Sequence, residues 1–177
     1  MYLRLMAATA LAFTAIALPL APAGAQGTPA RPAAQAPLDR LGAQLAQAGV
    51  KRCAPIVRAV AAFVTENSNA AFIVRPLGSR PDVSPVMITA ESAHATLGTT
   101  RYATIMVVPS ENCSGYYEQT IHWAATCSVV KTQNFANFPA PRPLLRNIQV
   151  SAASPTVSLQ LMPAGQGCIS IKKEIFR

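Results

Sequence analysis

The sequence predicts an α+β fold: an N-terminal helix or helix pair packed on one antiparallel β-sheet of about five to seven strands, with two disulfides. Three observations predict it. Apolar residues recur at helical spacing only between residues 38 and 66. From residue 70 onward the apolar runs are short, rich in β-branched residues, and divided by Gly, Pro, Ser and Asp. Four cysteines follow an apolar leader, which points to an oxidising compartment.

Residues 1–25, MYLRLMAATALAFTAIALPLAPAGA, read as a signal peptide. Arg4 supplies the positive start, Leu5 to Leu18 is uncharged and apolar, and Pro19 breaks the run. Ala23-Gly24-Ala25 then gives the small-x-small pattern that precedes cleavage, here ahead of Gln26. The apolar run rises only about 21 Å as a helix, short of the ~30 Å of a bilayer core, so no transmembrane anchor is expected after cleavage. No cysteine stands at the cleavage site to carry a lipid. The expected location is periplasmic or secreted, and the Ala-rich leader has a bacterial character. Residues 26–37, QGTPARPAAQAP, form a Pro/Ala-rich spacer, and residues 38–177 are long enough for one domain with one core.

Leu38, Leu41 and Leu45 mark a short amphipathic helix that Asp39 opens and Gly49 ends. A second helix follows in CAPIVRAVAAFVTEN, with Ile56, Val57, Val60, Phe63 and Val64 as its apolar stripe. Pro55 is tolerated in the first turn, where its missing N–H goes unused. AAFIVRP, PVMITAES and RYATIMVVP then read as strands. The third is apolar from Ile105 to Val108, the pattern of a strand covered on both faces. Further strands are expected at IQVS, TVSLQLM and CISIKKEIF.

Between Gly115 and Asn134 there is no Gly, Pro, Asn or Asp, so Tyr116 to about Val130 is expected as one long strand. With a period of two, Tyr117, Ile121, Trp123, Ala125, Cys127 and Val129 share a core face broken only by Gln119. Tyr116, Glu118, Thr120, His122, Thr126 and Ser128 share the other face. An extended chain would hold Cys113 and Cys127 roughly 40 Å apart, whereas a disulfide needs Cα atoms within about 7 Å. Counting strand directions puts Cys53 and Cys113 at one end of the sheet, and Cys127 and Cys168 at the other. The expected disulfides are therefore Cys53–Cys113 and Cys127–Cys168, each worth roughly 3–4 kcal/mol in the chain-entropy model.

Net charge is +8, but Arg75, Arg80, Arg101, Lys131, Arg142, Arg146, Lys172 and Lys173 are scattered rather than clustered, so no nucleic-acid partner is expected. With all four cysteines paired, a catalytic thiolate is not expected. A zinc site at Cys113, His122 and Cys127 fails on strand geometry. Glu91-Ser-Ala-His94 has a ligand-like spacing without a second copy, so no metal is expected there. Ser128-Val-Val-Lys131 and Ser170-Ile-Lys172-Lys173 both match S-x-x-K, but both fall on expected strands, where the lysine is not turned toward the serine. No dinucleotide or phosphate-binding fingerprint is present, and no cofactor is expected. Asn112-Cys113-Ser114 formally fits a glycosylation acceptor and is discounted for a bacterial chain.

The surface singled out is the polar face of the long strand, Tyr116, Glu118, Thr120 and His122, completed across the sheet by Arg101, Tyr102 or Thr104. The expected function is that of an exported accessory protein that binds rather than transforms. Its partner would be an envelope protein or an anionic or polar envelope ligand. Two rivals stand beside it. One is a glycan-type hydrolase using carboxylates among Glu91, Glu111 and Glu118, which would need two of them about 5–10 Å apart. The other is a structural part of an envelope assembly, marked by an exposed apolar patch or an unpaired edge strand.

Overall fold

The computed structural model describes residues 37–66, 68–93 and 99–177. The signal peptide, the spacer up to residue 36 and His94 lie outside the described residues, while Pro37, the last residue of the expected spacer, is the first of a helix. Helices α1 (Pro37–Gln47) and α2 (Ala54–Thr65) are followed by strands β1 (Ala70–Pro76), β2 (Val86–Ala93), β3 (Thr100–Val108) and β4 (Ser114–Trp123). Helix α3 (Cys127–Asn134) leads to β5 (Arg142–Pro143), β6 (Gln149–Ser154), β7 (Val157–Ala164) and β8 (Gly167–Phe176). All eight strands join one antiparallel sheet in the order β1-β2-β3-β4-β8-β7-β6-β5. The α+β architecture is as expected. The eighth strand beyond the expected seven is β5, two residues that carry no hydrophobic pattern to announce them.

The helices lie on one side of the sheet. Leu41 and Leu45 of α1 and Val57, Ala61 and Val64 of α2 pack on Phe72, Ile88, Ile105 and Tyr117. Val130 of α3 and Phe138 pack with Ile121, Trp123, Leu159 and Leu161 over the other half. Strand β4 is the seam, giving Tyr117 to one cluster and Ile121 and Trp123 to the other. The buried stripe of α2 is turned from the expected one: Phe63 is 60% exposed at its margin. Its ring still meets Tyr117 at 5.7 Å and lies under the Lys172 ammonium at 5.4 Å.

The expected strand to Val130 stops at Trp123. Trp123 pairs with Cys168 at the start of β8, so residues beyond it would have no neighbouring strand on that side. Thr126, in extended conformation, instead opens α3. The disulfide expectation survives this correction because the chain has already reached the far end of the sheet. Cys127, in the first turn of α3, bonds Cys168, and Cys53, just before α2, bonds Cys113 in the β3–β4 turn. No cysteine is free.

The end of α2 explains two polar residues on the helix-covered face. Helices leave their last carbonyls unpaired. Gln119 Nε2 donates to Val64 O at 2.7 Å, and Arg101 Nη1 donates to the same carbonyl at 3.3 Å. Glu66 closes the helix in left-handed conformation, φ 52°, and accepts Arg101 Nη2 at 2.8 Å.

Candidate functional site

Among the described residues, no helix or strand covers the side of the sheet opposite the helices, and its composition follows from register. Along β4, Tyr116, Glu118, Thr120 and His122 alternate with the core residues and point outward, as expected. Tyr102 stands beside Thr120 on β3, and Thr104 beside Glu118. Arg101 is the exception. It pairs with Ile121 on the helix-covered face, where its side chain is 2% exposed, so it belongs to the α2 cap and not to this surface.

The other neighbour of β4 is β8, which sequence reasoning did not place. Its outward residues are Ile169, Ile171, Lys173 and Ile175, opposite His122, Thr120, Glu118 and Tyr116 respectively. Lys173, not a β3 residue, is the partner of Glu118, with Nζ 2.8 Å from Oε2. Met87 and Met106 continue the row of Tyr116 and Ile175 onto β2 and β3. Tyr102 is 47% and Ile175 48% exposed. A shallow cleft of about 320 Å³ runs between Tyr116, Ile175, Val157 and the Glu118–Lys173 pair. His122 lies close over Gly167: a Cβ there would stand 3.1 Å from Nε2 and 2.4 Å from the Trp123 carbonyl, so the position needs glycine.

Strand β8 is polarised against the usual rule. Its inward positions carry Ser170, Lys172 and Glu174, each with a specific partner on the helix side of the sheet, Lys172 and Glu174 remaining partly exposed. Ser170 Oγ accepts Trp123 Nε1 at 2.7 Å. Glu174 Oε2 accepts the Tyr117 hydroxyl at 2.6 Å and lies 3.4 Å from Lys172 Nζ. Burial, and then the hydrogen bond and charge of Glu174, push the Tyr117 phenol well above its ordinary range. The isoleucines meanwhile face away from the helices. The signal was present in CISIKKEIF as isoleucines at 169, 171 and 175, an alternation broken only by Lys173, but only the register shows which side they take.

The other candidates sort by placement. Among the described residues, no group of three or more His, Cys, Asp or Glu is arranged to hold a metal. Ser128 and Lys131 share α3 rather than a strand, a correction to the expected geometry, and Lys131 Nζ donates to Phe138 O at 2.9 Å. Ser170 and Lys173 sit on opposite faces of β8. Glu91 and Glu118 share the uncovered face, but their Cα atoms stand about 12 Å apart by strand geometry. Glu111 is exposed in the β3–β4 turn. No helix among the described residues is long and apolar enough to cross a membrane. Compared with known proteins, the chain matches no family model, no curated protein and no solved structure.

Proposed function

We propose that this is an exported, disulfide-stabilised binding protein whose uncovered sheet face receives a protein partner. The observation that carries the reading is the inverted polarity of β8: Ile169, Ile171 and Ile175 are directed outward, whereas Ser170, Lys172 and Glu174 point to the helix side, Ser170 fully buried and Lys172 and Glu174 partly so. Apolar side chains lined up on one face gain about 25 cal/mol per Å² only when something covers them. The same argument applies to β3, whose sequence asks for cover on both faces and receives it on one. Two disulfides support an oxidising compartment outside the cytoplasm. The polar members, Glu118–Lys173, Thr120 and His122, would set orientation and selectivity around this apolar ground.

The isoleucines move the reading from the anionic or polar ligand expected from β4 alone toward a protein surface. The assembly-part reading is favoured by one specific observation, the outer edge of β1, which pairs with no strand among the described residues. The test is capture of partners from envelope extract on immobilised protein, comparing wild type with Ile171→Glu, Glu118→Ala and His122→Ala. Ile171→Glu is expected to lose the partners while melting close to wild type. Equal recovery by all variants would show that the face is merely solvated.

A further inference from the structure

The two edges of the sheet are managed differently. On one side β5 is two residues long and ends in Pro143, a short edge that offers little to another strand. On the other side β1 runs seven residues, about 23 Å at 3.3 Å per residue. Two hydrogen bonds fix which of its backbone groups face outward. Leu77 N donates to Pro85 O, so the odd-numbered residues turn their backbone toward β2. Ala70 O instead accepts Arg40 Nη2 from α1 at 3.1 Å, so the even-numbered residues face the edge. Phe72 and Val74 therefore present their N–H and C=O groups outward, and Pro76 presents a C=O alone.

We propose that this edge pairs with β1 of a second copy, antiparallel across a two-fold axis at Ile73. This inference does not rest on the reading of the uncovered face. In that register Phe72 meets Val74 of the other copy in hydrogen-bonded pairs, and Ile73 meets Ile73. Pro76 falls opposite Ala70, so its missing donor orphans nothing: Ala70 O is already served by Arg40. Shifting the register by one pair to centre on Val74 would set Pro76 opposite Phe72 and leave the Phe72 carbonyl without a donor. The charges also agree. Arg75 meets Ala71, keeping the two arginines off each other, and the α1 wall of the groove beside β1, Gln44, Gln47 and Ala48, is uncharged in a chain of net charge +8. Gln44 Oε1, buried without a hydrogen-bond partner, lies in that wall. An edge of this length and two-layer depth covers roughly 450 Å² per copy, below a standard interface, so the dimer is of the weak, transient class.

Position 71 separates association from folding. Within one chain Ala71 stands opposite Glu91, and across the proposed axis it stands opposite Arg75 of the other copy. Ala71→Lys therefore favours the single chain and opposes the dimer, while Ala71→Glu does the reverse. The experiment is sedimentation of the disulfide-intact protein from ~1 μM to ~1 mM, with a thermal melt of each variant at the lowest concentration. Expected is a monomer–dimer equilibrium that Ala71→Glu tightens several-fold and Ala71→Lys weakens several-fold, against the order of their melting temperatures. Ile73→Lys, placing like charges across the axis on an exposed side chain, should weaken it at least tenfold. A protein that stays monomeric throughout overturns the proposal. So does a dimer indifferent to position 71, since the copies would then meet elsewhere.

Discussion

Replacing Glu66 by asparagine removes the carboxylate that pairs with Arg101 while keeping a residue that tolerates the left-handed conformation at φ 52°. The guanidinium left behind is 2% exposed, holds one long bond to Val64 O at 3.3 Å, and has no partner at Nε. Stranding a buried charge costs about 3–5 kcal/mol. The carbonyl end of α2 recovers part of this, so the expected loss is about 3 kcal/mol, or roughly 6–12 °C in Tm. Arg101→Met should behave otherwise. It removes the charge with its desolvation cost, and Glu66, 56% exposed, returns to water. Val64 O keeps Gln119 at 2.7 Å. The expected change is within about 1 kcal/mol of wild type. The double variant should melt near Arg101→Met, a coupling of about 2–3 kcal/mol. Urea unfolding with the disulfides intact measures all three. If Arg101→Met costs as much as Glu66→Asn, or if the two losses simply add, the explanation of the buried arginine is wrong.

Two predictions concern pH. Asp82 accepts the backbone N–H groups of Lys51 and Arg52 at 2.8 and 2.6 Å, and these bonds hold its pKa below the ordinary 3.8. A depressed carboxylate contributes stability that is present above its ordinary pKa and lost as pH falls below it, so Asp82→Asn should flatten the acid limb of a Tm–pH profile below 3.8. Unchanged acid sensitivity would discount the contact. Tyr117 is the mirror case: its raised pKa favours the neutral phenol in the fold, giving stability that is intact below the ordinary value of 10.0 and lost as pH rises past it. Tyr117→Phe should therefore lose less Tm than wild type on moving from neutral to strongly alkaline pH, and equal slopes would refute the buried bond to Glu174.

The helix pair, the first three strands and both disulfides were legible because each rests on local pattern or on counting chain reversals. AAFIVRP is β1 residue for residue. The far end of the long strand was not legible, because a strand ends where its neighbours end, and the partner of Trp123 is 45 positions away at Cys168. Arg101 was assigned to the wrong face for a related reason. A charged residue is expected outside, and only the position of the α2 terminus shows why a guanidinium is held inside. Four of the candidate surface residues share β4, so alternation alone was enough to group them. Their surroundings were hidden: β8 arrives last in the chain yet inserts beside β4, bringing its isoleucines and Lys173 with it.

Site-directed photocrosslinking in the producing cell tests the central claim most directly. Photoreactive side chains at Tyr102 and Ile171, on the uncovered sheet face, should capture a discrete protein adduct. The same probes at Arg58 and Gln133, exposed on the helical layer, should not. Adducts that arise equally from both layers, or from the helical layer alone, would contradict the assignment of the open sheet as the surface through which this protein works.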